Sequence, residues 1–330
     1  VLDNKELIMT HFNILSAHPS LHVNYKTVLV FGSKTDRVIE TAGIINDGTG
    51  AFEVGYYNGA TKSKAIINIS PALGCPVGCN FCELTDSGRN LSATEMVNQV
   101  LFMANTAVTI DDVDLDHQGL KINIAKTGDP VFNPHMVEFM QNLPALFPRV
   151  SFKYSTVMPD VSFLMERVQN IARHASTYKD GSLQLQISLI STNEIFRRAS
   201  ARARLAPLAS IRGAVDAWRN ANPEGRVPNA SLLVGADTPC DPNEIKDVLP
   251  PDLIYLRVRP IIPTRHSRAS GIRDATTAVV DAIVNKFRDA GYTISTAGVP
   301  TPTESKHNLA SNVTRQNLLG GTYEDGLVFL

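Results

Sequence analysis

From residue 64 onward the chain alternates between short apolar runs and longer segments of helical periodicity. AIINIS (65–70), LKINIAK (120–126), VSFKYST (150–156), LQLQISLI (183–190), NASLLVG (229–235) and LIYLRVR (253–259) read as strands. Helical patterns lie between and after them, at 93–106, 134–146, 161–175, 207–220, 242–249 and 273–290. Near-continuous apolar strands separated by amphipathic helices predict a parallel sheet with helices on its faces. Six such units fit an α/β fold of the partial (β/α)6 barrel type over 64–295. A doubly wound sheet is the alternative, but no G-x-G-x-x-G follows the first strand.

The first 63 residues keep a different rhythm. KTVLVF (26–31), RVIETAGII (37–45) and AFEVGYY (51–57) are β-rich, and NDGTG (46–50) reads as a hairpin turn. A helical arm followed by a small antiparallel accessory domain is expected over 1–63. The polar stretch 296–330, with Pro300 and Pro302, reads as a C-terminal tail folded over the barrel mouth.

Composition narrows the function classes. The 330 residues are 43% hydrophobic and 19% charged, with a net charge of −1 and a pI near 6.8. No global field draws such a chain onto nucleic acid or anionic lipid. No apolar run approaches the ~20 residues of a membrane span. The opening VLDNKELIMTHF lacks the apolar centre of a signal peptide, so a cytoplasmic location is expected. Of the four cysteines, three lie between residues 75 and 82 and Cys240 stands apart. A disulfide framework spreads its cysteines to staple distant loops; thiols packed this closely read as a metal or cluster site in a reducing compartment.

That site is PALGCPVGCNFCELT (71–85), directly after the first barrel strand. Cys75, Cys79 and Cys82, spaced C-x3-C-x2-C, put three thiolates on one short loop, enough for three corners of an iron–sulfur cubane. The fourth iron would then be open to the amino and carboxylate groups of a small ligand. Gly74 and Gly78 let the loop turn tightly, and Phe81 would shield the cluster from water. A three-cysteine zinc site is the competing reading. It needs a fourth ligand, and the next histidine is His117. The end of the first strand is also where barrel enzymes place their chemistry.

C-x3-C-x2-C with an aromatic before the last cysteine resembles the signature of the radical S-adenosylmethionine superfamily. Within it the chain is similar to the 23S rRNA adenine methylases that act at C2 or C8. SGRNLSATEMVNQV (87–100) resembles their RNLT-x-x-EI-x-x-Q helix and KTGDPVFN (126–133) their GMGEPLLN loop. VSFKYSTV (150–157) resembles their STSG strand, LQISLISTNEIFRR (185–198) their AISLHAPNDE-x-R segment, and RPIIPT (259–264) their NLIPWN. The resemblance implies a [4Fe-4S] cluster and S-adenosylmethionine as cofactors. Gly128 and Asp129 would receive the ligand's ammonium group, with Asp where the family has Glu. Ser155 and Ser188, at strand ends, would bond its carboxylate or ribose, and Arg265 replaces the family's Asn near the adenosyl group. A reductant protein such as flavodoxin or ferredoxin is the implied partner.

Two features of the methylases are missing. Their methyl-carrying cysteine lies seven residues before the first cluster cysteine, where this chain has Asn68, and Arg315 stands where the C-terminal thiol would be. Cys240, in TPCDPNE, reads as a loop or cap residue without chemistry. Without the relay, the expectation is cleavage of S-adenosylmethionine to a 5′-deoxyadenosyl radical that abstracts hydrogen from a substrate. Arginines concentrate after the fourth and sixth strands, in FRRASARARL (196–205) and RVRPIIPTRHSRASGIR (257–273). Arg257 and Arg259 alternate with apolar residues within one strand, where a bare charge is costly. With Arg265 they suggest a small anionic substrate, a nucleotide or phosphorylated metabolite. RNA stands second as partner, with RNA adenine methylation as the competing activity. An RNA-binding relic and an iron- or redox-sensing protein are the non-catalytic alternatives.

Overall fold

The structure is a computed structural model that describes residues 13–17, 29–32, 38–46, 51–59, 65–84, 88–111, 115, 119–175 and 182–296. Among these, the chain divides into two compact units, one of residues 13–75 and 88–152 and the other of 76–84 and 153–296.

In the first unit, β1 (Asn13–Ala17) and β2 (Leu29–Gly32) pair antiparallel with successive halves of β3 (Val38–Asn46). The strand β1 occupies part of the region expected to be a helical arm; its register with β3, Asn13 opposite Asn46, supplies the backbone partners that a lone short helix would lack. β3 pairs with β4 (Ala51–Gly59), and β4 continues antiparallel onto β5 (Ala65–Ile69), Gly55 opposite Asn68. The accessory strands therefore extend the same sheet as the first barrel strand. β5 and β6 (Leu120–Ile124) then pair in parallel. Ala65, Ile67 and Ile69 and, on β6, Leu120, Ile122 and Ile124 are all but fully buried, while Asn68 and Asn123 share the opposite face. Helix α1 (Ala93–Asp111) starts on a capping box: Ser92 Oγ accepts from Glu95 N, and Glu95 Oε2 accepts from Ser92 N. Helix α2 (Met136–Asn142) buries Met136, Phe139 and Met140.

β7 (Val150–Thr156) runs from one unit's residues into the other's. In the second unit β8 (Leu183–Ile190), β9 (Asn229–Val234), β10 (Tyr255–Pro260) and β11 (Ile294–Thr296) follow in spatial order, and β5 to β11 make seven parallel strands. The helices here are α3 (Leu164–Ala175), α4 (Glu194–Ala199), α5 (Leu208–Ala221), α6 (Arg265–Ala269) and α7 (Thr277–Asp289). Leu208, Ile211, Val215 and Trp218 form the buried stripe of α5 at helical spacing, and α3 packs on this helix.

The α/β class holds, and each of the six expected barrel strands is present within two residues of its expected limits. Four elements differ. Residues 242–249 make only a 3-10 turn, Pro242–Glu244, capped by Asp241; Pro250 and Pro251 close the segment before an α-helix can propagate. The short helices α4 and α6 and the strand β11 were not expected, because runs of three to six residues are too short to carry a period. The hairpin turn at 47–50 and the tail from 297 lie outside the described residues.

Candidate active site at the cysteine loop

The loop that follows β5 begins with a strict accounting of backbone groups. Ser70 exchanges two hydrogen bonds with the Gln99 amide, Ser70 N to Oε1 at 2.8 Å and Nε2 to Ser70 O at 2.9 Å. Ser70 Oγ accepts from Thr127 N, and Ala72 N donates to Thr127 O. Asn133, buried to 1% exposure, donates to Pro71 O at 2.7 Å and Leu91 O at 2.8 Å. Leu73 N donates to Arg89 O, and Arg89 makes a two-pronged pair with Glu95. The helix motif and the TGDPVFN segment thus hold the loop from two sides.

Two glycines make that approach feasible. Gly128 sits at φ +101°, and a Cβ there would lie 2.8 Å from Ala72 Cβ and 3.2 Å from Ala72 N. At Gly88 a Cβ would meet Gly74 N at 2.8 Å. Only hydrogen fits at either position. Asp129, next to Gly128, is buried; its Oδ1 accepts from Val131 N at 3.0 Å and starts a 3-10 turn with Pro130 at its first position.

In the second unit the loop is held differently. Asn80 N donates to Ser200 O, Arg202 N to Gly78 O and Ala203 N to Val77 O, a short antiparallel ladder with Cys79 opposite Ala201. Gly78 turns the chain at φ +63°. Cys82 N donates to Cys79 O at 3.1 Å, so these two cysteines share one turn. Glu83, buried, accepts from the backbone N–H of Arg265 at 2.5 Å and of His266 at 3.3 Å, the first N–H groups of α6.

Cys75, Cys79 and Cys82 form no disulfide among the described residues, with Cys79 buried and the other two half-buried. Soft thiolates on a turn are the donor set of an iron–sulfur cluster. Among the described residues no three Cys, His, Asp or Glu side chains gather as for a single metal ion. A cubane does not require that, since each thiolate takes its own iron.

The expected ligand serines lie at strand ends in the second unit. Ser155 Oγ, near the end of β7, is sealed from solvent and has no hydrogen-bond partner. Ser188 is in register with Ser231 of β9, which is in register with Arg257 of β10. The three share one face, above a second polar row of Gln186, Asn229 and Tyr255. Arg257 Nε is also sealed without a partner, and Arg259 faces the same side two residues on. Two backbone outliers cap these strands: Met158 after β7 at φ +57° and Ile190 ending β8 at φ +71°. A β-branched residue in that region is strained, and Ile190 sits at a register shift between β8 and β9. Such strain, of order 1–3 kcal/mol, concentrates where a site is held in shape.

No family model matches the chain. It is 28% identical over 146 residues to a probable dual-specificity RNA methyltransferase RlmN of Koribacter versatilis (strain Ellin345), a match covering 44% of this chain and 39% of the relative. It is 25% identical over 199 residues to a probable dual-specificity RNA methyltransferase RlmN of Trichodesmium erythraeum (strain IMS101), covering 59% of this chain and 48% of the relative. The matches thus span less than half of either relative's length. The fold is similar to the crystal structure of a radical SAM methyltransferase from Sphaerobacter thermophilus, with a TM-score of 0.63, 20% identity, and coverage of 84% of this chain and 78% of that one. The chain shares its fold with that radical SAM methyltransferase. It resembles the RNA-methylase branch.

Against that branch the departures now have a structural setting. Asn68, at the position of the family's methyl-carrying thiol, accepts through Oδ1 from Asn123 Nδ2 at 3.0 Å. Arg315 lies outside the described residues. Burial pushes the Cys240 thiol up to about 12, which favours its protonated form. Arg265 is exposed, and it is its backbone N–H that meets Glu83. Most arginines of 196–205 are structural. Arg197 is fully buried, donating to Ala206 O and Val157 O, with its pKa lowered to about 10 by desolvation. Arg198 pairs with Glu194 and Arg204 with Asp160. Sequence reasoning passed over Glu83, Gln99 and Asn133. All three stand inside the quoted motifs, and Gln99 and Asn133 are amides spaced to reach a turn's backbone. Glu83 carried no local signal.

Proposed function

We propose that this chain holds a [4Fe-4S] cluster on Cys75, Cys79 and Cys82 and is an enzyme that cleaves S-adenosylmethionine reductively, giving a 5′-deoxyadenosyl radical that takes hydrogen from a small anionic substrate. The observation that carries the reading is the turn that sets Cys79 and Cys82 side by side, Cys82 N donating to Cys79 O, beside a backbone ladder. When bound, the cluster supplies one electron and an open iron for the ligand's amino and carboxylate groups. The chain's own residues bind and orient. Asp129 meets the ligand ammonium with a buried carboxylate, and Gly128 lets the backbone come close. Ser155 Oγ, lacking an internal partner, takes a hydrogen bond from or to the ligand, and Ser188 extends that polar row. Arg257, with Arg259 and Arg265 nearer the strand's end and beyond it, receives the substrate's negative charge; a sealed Nε without a partner is costly until it has one. A flavodoxin- or ferredoxin-type reductant supplies the electron. No described helix is long and apolar enough to cross a membrane.

The names of the sequence relatives favour a second reading, methylation of an RNA adenine. Asn68 speaks against it, since an amide cannot carry a methyl group and then leave as a thiolate does. Anaerobic reconstitution decides the first point. Cys75→Ala, Cys79→Ala and Cys82→Ala should each lose the brown chromophore, whereas Cys240→Ala keeps it. Reduced protein with S-adenosylmethionine should release 5′-deoxyadenosine. Labelled S-adenosylmethionine with total RNA decides the second: label in 2-methyl- or 8-methyladenosine restores the methylase. Unmodified RNA, with substrate-dependent 5′-deoxyadenosine from a pool of phosphorylated metabolites, supports hydrogen abstraction from a small anion.

A further inference from the structure

The arginines of 197–204 divide by partner. Arg197 is spent on backbone carbonyls, Arg198 lies by Glu194, and Arg204 is bound to Asp160 at 2.6 Å. Among the described residues no carboxylate pairs with Arg202. Its side chain instead lies along Gly78: a Cβ built on Gly78 would be 3.1 Å from Arg202 Cβ, 3.1 Å from Nε and 3.3 Å from Cζ. Arg202 N also donates to Gly78 O at 3.0 Å, which fixes the base of the side chain. Gly78 adjoins Cys79, one of the three thiols assigned to the cluster. The Arg202 guanidinium is thus held against the cysteine loop with no carboxylate partner among the described residues.

We infer that Arg202 sets the reduction potential of the cluster, acting through its charge rather than through contact with ligand or substrate. The inference rests on the functional reading above. One electron passes from a low-potential one-electron donor to the resting cluster, whose charge becomes one unit more negative; no bond or proton is exchanged. A fixed cation close by stabilises the more negative state and raises the potential. The glycine between Val77 and Cys79 serves this as well as the turn, because a Cβ there would press the Arg202 side chain back by a few tenths of an ångström. Arg202 is exposed, so solvent and salt weaken the effect without abolishing it.

The test is a potentiometric titration, read by electron paramagnetic resonance, of the reconstituted full chain and of Arg202→Lys, Arg202→Gln and Arg202→Glu at matched iron and sulfide content. The potential should stay near the parent value for Lys, fall for Gln and fall further for Glu, with the spacing shrinking as salt is raised. Disruption of the ladder would lower cluster content in every variant without ordering the potentials by charge. Equal potentials for the parent, Gln and Glu proteins at low salt overturn the inference while leaving the cluster reading intact. A parent protein that takes up no reducible cluster overturns the functional reading and this inference together.

Discussion

Ser70–Gly74 are pinched by Gly88 and Gly128 and tied at Ser70 and Pro71 by the amides of Gln99 and Asn133, whereas Val77–Asn80 are laced by backbone hydrogen bonds to 200–203 and Glu83 caps α6. The first arrangement depends on steric exclusion and on side chains that nothing else can replace. The second depends mostly on main-chain groups, which tolerate many side chains. The difference teaches where the two arms of the loop are vulnerable and which was free to diverge. The pinched arm should be brittle to substitution. The laced arm could acquire Arg202 and Glu83 without losing its path.

The sharpest way to break this contrast is Gly128→Ala. It combines a positive φ with a Cβ at 2.8 Å from Ala72, and should cost about 3 kcal/mol through backbone strain plus overpacking. A denaturant midpoint unchanged from the parent would show that the pinch is not a constraint. Asn133→Ala comes next, at about 2 kcal/mol, because two buried carbonyls lose a donor and His135 N loses its acceptor. On the laced arm, Glu83→Ala should cost about 1–2 kcal/mol and Glu83→Gln less, since a glutamine oxygen still accepts from Arg265 and His266. If Glu83→Ala proved more damaging than Gly128→Ala, the contrast would be reversed. Ligand binding separates from both: Asp129→Asn keeps an acceptor for Val131 N but loses the charge, and should weaken S-adenosylmethionine by roughly 1.5–3 kcal/mol in calorimetry.

The same contrast explains what could be read from the residues alone. Period and apolar run length marked out the six barrel strands, because each buries a continuous face. The cysteine spacing and the glycines at 78 and 128 carried their meaning locally, as geometry that only those residue types allow. What stayed hidden is long-range: the bond from Glu83 to Arg265 spans 182 positions, and the register that sets Ser188, Ser231 and Arg257 in one row exists only once the strands pair. The arginines of 197–204 and 257–259 looked alike in sequence. Their partners separate them into a buried brace, two surface pairs, a cation on the cluster loop and a strand-face pair. β1 escaped for a related reason, since its partner β3 lies more than twenty residues downstream.

The smallest effect concerns the Arg89–Glu95 pair, which steadies the segment whose Arg89 carbonyl receives Leu73 N. Burial by itself would raise the Glu95 carboxyl, but hydrogen bonds from the Arg89 guanidinium and from Ser92 N and Oγ outweigh it, and its pKa lies below the usual 4.5. A carboxyl depressed on folding contributes stability that is complete above its unfolded pKa and lost as pH falls from there through the lower folded value. Arg89 is 43% exposed and Glu95 16%, so solvent screening holds the contribution to about 1 kcal/mol or less. Glu95→Gln should therefore cost least once the pH is below the lowered folded pKa and most near neutrality, flattening the acid limb of the stability curve. Arg89→Gln should flatten it less, because the capping bonds from Ser92 remain. Urea midpoints between pH 3 and 7 measure both, and acid limbs parallel to that of the parent would mean that Glu95 is not held by this pair and that the pinched arm owes its order to the glycines and amides alone.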